Sequence, residues 1–243
     1  MSSRVCAIIG AGEGLGQALA KKFACEGFDI ALVTRTREGS VAALAAASQV
    51  DPEVDVRSFQ ADATRPETIE QAMVTIQEEM GRIDVLIYNV RGQFTACEPL
   101  DMRYEDLENI FRTEVIGAYA AARAVLPTMR QLGSGSIFFS SATAAFRGSA
   151  TYPLYAIGKF GLRGLSQSLA KAYAKDGVHI VHVRLDCDLD VPVMRELYGD
   201  RYDGQNLADA DAVAASYWLT HQQPKEAWSN EIEIRPYTEN WTI

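Results

Sequence analysis

The chain has few of the residues from which metal centres and disulfide frameworks are built. Its four cysteines, Cys6, Cys25, Cys97 and Cys187, stand far apart and form no Cys-x-x-Cys pair, which argues against both. Histidine is scarcer, with three in all. His179 and His182 fall in a stretch that reads as a strand and are three apart, so their side chains should point to opposite faces. Asp186, Asp188 and Asp190 alternate just past that strand and are expected to face solvent rather than hold a cation. No metal site is expected. Positive charge is also short: 23 Lys and Arg against 32 Asp and Glu leave a net charge of −9. That excludes a nucleic-acid surface, which needs clustered basic residues. No apolar run is long enough to cross a bilayer. The N-terminal Met-Ser-Ser-Arg-Val-Cys-Ala-Ile-Ile-Gly passes straight into glycines without a cleavage site, unlike a signal peptide. A soluble, cytoplasmic protein is expected, in which the sequon Asn240-Trp241-Thr242 goes unused.

What is present is enough apolar material for a large core. With 243 residues, 48% of them hydrophobic, one α/β domain spanning 1–243 is the default. Apolar runs at 5–9, 28–33, 54–59, 83–88, 136–139, 178–185 and 231–235 read as strands. Amphipathic stretches at 15–25, 38–48, 66–80, 104–129, 153–175 and 208–219 read as helices. Strands alternating with helices of this length imply βαβ units, hence a doubly wound parallel sheet of about seven strands with helices on both faces. No linker or repeat divides it.

The segment Gly-Ala-Gly-Glu-Gly-Leu-Gly, Gly10 to Gly16, lies between the first strand and the first helix. Residues without side chains there let the backbone turn tightly and approach a pyrophosphate at the helix N-terminus. Gly10, Gly12, Glu13, Gly14, Leu15 and Gly16 are the candidate cofactor contacts. The usual G-x-G-x-x-G fails, because Leu15 or Gln17 would occupy the last glycine. G-x-x-x-G-x-G fits, with Gly10, Gly14 and Gly16, and this spacing resembles the short-chain dehydrogenase/reductase family. The tail from Tyr217 to Tyr237 is similar to that of a branch of small bacterial members. The resemblance implies a nicotinamide-dependent oxidoreductase on a Rossmann domain, with a small-molecule carbonyl or alcohol substrate and a homotetramer or homodimer built on the central helices. The Ala-rich stretch from Ala118 to Leu126 suits such close helix packing.

An Asp or Glu at the end of the second strand would bind the ribose of NAD, whereas Arg accommodates the 2′-phosphate of NADP. Here Thr34 takes the acid's place, with Arg35 and Arg37 beside it. No carboxylate repels a phosphate and two guanidiniums can pair with one, so NADP(H) is expected over NAD(H). By the resemblance, Asp62 and Ala63 contact the adenine. Asn89 and Val90 belong to the family's Asn-Asn-Ala-Gly segment, in which Tyr88, Val90 and Arg91 replace the usual residues.

Tyr152-Pro-Leu-Tyr-Ala-Ile-Gly-Lys-Phe160 places Tyr155 and Lys159 four apart, on one helix face. A phenol of pKa about 10 is a poor base near neutrality. Lowering it by about three units takes about 4 kcal/mol, which one ammonium about 4 Å away supplies at an effective dielectric near 20. The resemblance makes Tyr155 the acid/base, Lys159 its tuning charge and ribose contact, and Ser141 the group that holds the substrate oxygen, with Ser140 as fallback. The catalytic segment is thus 140–159. Phe94, Phe146 and Tyr152 are expected to wall the substrate pocket, and about 191–208 to form its lid, polar and mobile or partly disordered.

Two departures stand out. Where the family has a catalytic Asn, this chain has Glu114, three residues before Gly117. An ionised Glu114 near Lys159 would offset part of the charge that lowers the tyrosine pKa; alternatively it turns away. After the sixth strand, Asp186-Cys187 replaces Pro-Gly, and Asp188 and Val191 follow where the family contacts the nicotinamide. Valine cannot make the hydrogen bond of the usual threonine. These departures keep a second function open, a cofactor-binding sensor or scaffold with impaired catalysis. An epimerase or dehydratase would need a larger C-terminal domain.

Overall fold

The computed structural model describes residues 4–238, so the sequon at Asn240 lies outside the described residues. Strand β1 (Arg4–Ile9) runs through the centre of the molecule. Its residues alternate between two cores: Val5, Ala7 and Ile9 meet one helix layer, Cys6 and Ile8 the other, the period-two pattern of a strand covered on both faces. Strands β2 (Phe28–Thr34), β3 (Val56–Gln60), β4 (Ile83–Tyr88), β5 (Ser136–Ala142), β6 (His179–Leu185) and β7 (Glu231–Ile234) join it. The order is β3-β2-β1-β4-β5-β6-β7, and every pairing is parallel. This is the expected single doubly wound α/β domain.

Helices α1 (Leu15–Cys25), α2 (Val41–Ser48) and α8 (Ala210–His221) cover one face, and α3 (Pro66–Met80), α5 (Gly117–Leu132) and α6 (Pro153–Tyr173) cover the other. The winding reverses between β1 and β4, where a crevice opens at the carboxyl ends of the strands. The turns after β1 and β4 are stitched together there: Asn89 N donates to Ile9 O at 2.7 Å and Asn89 Nδ2 to Gly10 O at 3.1 Å. Gly10 has φ +86°, and a Cβ on it would lie 2.6 Å from Asn89 O, so only glycine fits.

The expected helix at 104–129 is not one regular helix. It comprises α4 (Tyr104–Phe111), a π-helical turn at Arg112–Ile116 and α5. Gly117 N donates to Arg112 O, an i→i−5 bond that accommodates one extra residue. The buried phenol of Tyr88 donates to Thr113 O within this turn. A side chain on Gly117 would reach within 2.6 Å of that phenol oxygen. Ala118, Ala120, Ala121 and Ala122 of α5 are buried within the chain's own core, and Ala124 packs against it partly buried.

The segment expected to form the lid carries α7 (Pro192–Tyr198) and two short 3-10 turns. Val191, just before α7, is buried, and a Cβ on Gly14 would meet its Cγ1 at 3.0 Å. This segment and the glycine loop therefore touch at this valine.

Candidate active site

A cleft of about 840 Å³ runs from the glycine loop to α7. Its lining includes Gly10, Glu13, Gly14, Leu15, Gly16, Asn89 and Val90 at one end and Ser141, Tyr152, Tyr155 and Lys159 at the other. Asp186, Asp188 and Val191 line it as well. Strand β5 extends beyond the expected 139 and carries both serines, which alternate across the sheet. Ser140 Oγ is bonded to Tyr217 Oη at 2.8 Å. Ser141 Oγ is buried and has no hydrogen-bond partner among the described residues, although a buried hydroxyl normally finds one. Ser141, not the fallback, is thus left with capacity for a ligand.

Helix α6 begins at Pro153, which suits the first helical position, so Tyr155 and Lys159 lie one turn apart in its first turns. The Lys159 ammonium is 5.5 Å from the centroid of the Tyr155 ring. It is itself enclosed. Glu114 Oε2 is 2.8 Å away, Ser140 O accepts at 3.2 Å and Val90 O at 3.4 Å. Two carbonyls and one carboxylate thus surround the ammonium. Glu114 has turned inward, because the π turn aims it at α6. Its Oε1 accepts from Gly92 N at 2.7 Å. Oε2 has no aligned hydrogen bond among the described residues, so its contact with Lys159 is ionic. Two glycines make room for it: a Cβ on Gly92 would lie 3.0 Å from Oε1, and one on Gly158 2.9 Å from Cγ.

Lys159 pulls the Tyr155 phenol down, the direction expected of it, but other influences outweigh it here. Burial pushes the Tyr155 phenol up; Lys159 opposes it, Glu114 adds to the rise, and Arg91 offsets part of it. The net direction is upward. For Lys159, burial is the largest influence and works against the charged form, but Glu114 and Tyr155 together outweigh it and hold the amine above its usual value.

Other expected residues fall in place or apart. Phe94 and Tyr152 stack face to face, centroids 4.2 Å apart and 8° from parallel, and both line the cleft. Phe146 is no pocket wall: it lies outside the cleft, beneath the guanidiniums of Arg163 and Arg184. The three aspartates do not simply face solvent. Asp186 pairs with Arg235 at 2.7 Å and accepts from Thr143, Asp188 accepts from Tyr198 Oη at 2.6 Å, and Asp190 pairs with Arg195 at 2.7 Å. Each has a different partner, and among the described residues no group of His, Cys, Asp or Glu could hold a metal ion. Arg91 also lines the cleft; the sequence had marked it only as a replacement for glycine, and a basic side chain in that segment was the available signal.

Towards the adenine end, Thr34 Oγ1 donates to Thr36 O, leaving no carboxylate at the end of β2. Arg35 and Arg37 are exposed there. Asp62, after β3, accepts from the N–H and hydroxyl of Thr64 and feels the charge of Arg35. Ala63 O lies against Gly117, where a Cβ would approach to 2.5 Å. A nicotinamide dinucleotide fits these residues. The loop backbone at Gly12 is open, with nothing nearer than 3.9 Å to an added Cβ. No side chain caps α1, and Ser141 Oγ awaits a partner.

The sequence matches the family model described as short chain dehydrogenase over residues 4–187. It is similar to an uncharacterized oxidoreductase of Staphylococcus epidermidis, 28% identical over 239 residues that cover 97% of this chain and 98% of that one. Among solved structures, a short-chain dehydrogenase from Rhodopseudomonas palustris is similar at TM-score 0.81 and 29% identity, covering 96% of this chain and 99% of that one. A metagenomic short-chain oxidoreductase in complex with NADP shares the fold at TM-score 0.82 and 22% identity, covering 97% of this chain and 98% of that one. With the glycine loop, the Tyr155–Lys159 face and the β1/β4 crevice in one cleft, the chain belongs to the short-chain dehydrogenase family and is a dehydrogenase/reductase on an NAD(P)-binding fold.

Proposed function

We propose that the protein interconverts a carbonyl compound and a secondary alcohol with NADP(H), using Tyr155 as acid/base. The observation that carries this reading is the unpartnered, buried Ser141 Oγ in the same cleft as Tyr155 and Lys159. When bound, the nicotinamide supplies or accepts the hydride. Ser141 donates to the substrate oxygen and fixes its position. Tyr155 Oη gives that oxygen a proton in reduction and takes it back in oxidation. Lys159 favours the phenolate, and Glu114 sets how strongly it does so. The backbone of Gly10 to Gly16 and the start of α1 hold the pyrophosphate. Asp62, Ala63, Asn89 and Val90 line the way to the adenine and ribose. Asp186, Asp188 and Val191 flank the nicotinamide, and residues 191–208 cover the substrate.

NADP(H) is favoured over NAD(H) because β2 ends on Thr34 and two exposed arginines rather than on an acid. A homotetramer or homodimer rests on Phe111, Ile116, Tyr119 and Phe160, each more than a third exposed on the central helices. A cytoplasmic setting goes with the scattered cysteines, and no helix among the described residues is long and apolar enough to cross a membrane.

The test is fluorescence titration with NADPH and NADH, followed by cofactor oxidation against aldehydes, ketones and quinones. Tighter NADPH binding with turnover lost in Tyr155→Phe is expected. The reading with impaired catalysis draws on the enclosure of Lys159 by Glu114; cofactor binding with no turnover that depends on Tyr155 would favour it. Failure to bind either cofactor would overturn both.

A further inference from the structure

Resting on that functional reading, we infer that the substrate is an oxo acid whose carboxylate is held by Arg91. The cleft has two poles at its reacting end. One is Ser141 Oγ with Tyr155, where a carbonyl oxygen would be received. The other is the Arg91 guanidinium, placed over the Phe94 ring at 5.7 Å from its centroid. Phe94 in turn stands edge-to-face against Tyr155, centroids 5.0 Å apart and planes at 82°. Arg91 is therefore anchored by an aromatic that itself touches the acid/base, and is separated from the carbonyl pole by a single ring.

The charges around it leave Arg91 for a ligand. Three basic residues line the cleft, Arg91, Arg147 and Lys159. Lys159 is taken by Glu114 and Arg147 has an interaction of its own, while outside the lining Arg235 pairs with Asp186 and Arg195 with Asp190. Among the described residues, no carboxylate lies within ion-pair distance of Arg91. Two further acids line the cleft. Glu13 belongs to the glycine loop at the cofactor end, and Asp188 is engaged with the hydroxyl of Tyr198. A guanidinium presents its N–H groups as a planar fork that matches a carboxylate. Between the poles the wall is the stacked Phe94–Tyr152 pair, and Val193 and Met194 of α7 face the same cleft. The lining thus suits an apolar body carrying a carbonyl at one point and a carboxylate at another. Arg91 sits over Phe94, the ring that touches Tyr155, and this neighbourhood assigns it to the substrate instead of the cofactor pyrophosphate.

The experiment uses the Tyr155→Phe protein, so that binding is read without turnover. Six-carbon 2-, 3- and 4-oxo acids and their methyl esters are titrated calorimetrically with NADPH, with NADH and with no cofactor. Carrying the charge-assisted contact, at least one acid should bind about tenfold or more tightly than its ester. In the Tyr155→Phe/Arg91→Gln double variant the ratio should fall close to one, while the Kd for NADPH stays within about twofold. Acids binding no better than esters, or a preference that survives Arg91→Gln, would overturn the inference. A large loss of NADPH affinity in the double variant would also overturn it, by reassigning Arg91 to the cofactor. Absence of cofactor binding in any variant would instead count against the NADP(H) reading, and the cofactor-free titrations would still decide the acid–ester question.

Discussion

Glu114 Oε2 and Lys159 Nζ lie 2.8 Å apart, with side chains 0% and 3% exposed. Removing one partner of such a buried pair costs about 3–5 kcal/mol, because the other charge is left uncompensated. Glu114→Ala should therefore lower stability by about that much, read as a fall in the urea midpoint. Glu114→Gln retains an acceptor for Gly92 N–H and removes the charge. Because that charge stabilises the protonated phenol, its removal lowers the Tyr155 pKa. The ascending limb of kcat/KM for alcohol oxidation should move to lower pH by about one unit, and Glu114→Asn should move it the same way. Superimposable pH profiles would show that Glu114 does not act on Tyr155.

The glycine loop separates folding from binding at two neighbouring glycines. Gly10→Ala places a Cβ against the backbone of Asn89 at positive φ, and the conformation alone costs about 1–2 kcal/mol. It should lower the thermal midpoint. Gly12→Ala adds a methyl in open space, so the midpoint should hold while NADPH binding weakens by about tenfold or more. Equal loss of stability in both variants would contradict this division.

Cofactor choice should follow the end of β2. Replacing Arg35 and Arg37 together with serine should weaken NADPH about tenfold, within the range for charge-assisted contacts, and change NADH little. Thr34→Asp should reverse the preference. The check is the ratio of the two dissociation constants at fixed ionic strength, since both arginines are exposed and screened.

Acid should destabilise the fold through a histidine outside the lining of the cleft. His182 is 2% exposed, and burial, the largest influence, carries its pKa down to about 4; Glu231 pulls it up, while Arg163 and Lys159 press it further down. The unfolded chain binds that proton near pH 6.5, so between about 6.5 and 4 the unfolded state holds more protons than the folded one. Stability is then full above the unfolded value and falls as pH drops through the window, by on the order of 3 kcal/mol in total. His182→Gln should flatten urea midpoints measured across pH 4–7 by up to one proton's slope. An unchanged slope would remove His182 from the acid response.

Elements punctuated by strong local signals were legible in the sequence. Helix α1 follows three glycines and α3 opens on Pro66, and both have the expected limits. Strand β5 runs three residues past the expected end, because Ser140, Ser141 and Ala142 lack the apolar bulk that marks a strand yet are covered by neighbouring elements. The π turn has no residue signature of its own; the Tyr88 phenol and the Gly92 amide, both distant in sequence, meet it. The same holds in the site. Tyr155, Lys159 and Ser141 were legible as a motif. The enclosure of Lys159, the place of Phe146 outside the cleft and the position of Arg91 over Phe94 depend on contacts between separate elements.

The π turn also fixes how this region can vary. Each residue of an α-helix advances the chain by about 100°, so one extra residue rotates everything before it relative to everything after. Deleting a single residue between Arg112 and Ile116 would give a smoother helix and swing either α4 or α5 through that angle. Ile110 and Glu114 would then leave the space that Gly92 and Gly158 keep open for them, or the alanines of α5 would leave the core beneath β4. Insertions and deletions here are thus excluded by register, whereas point substitutions are limited only by size and charge.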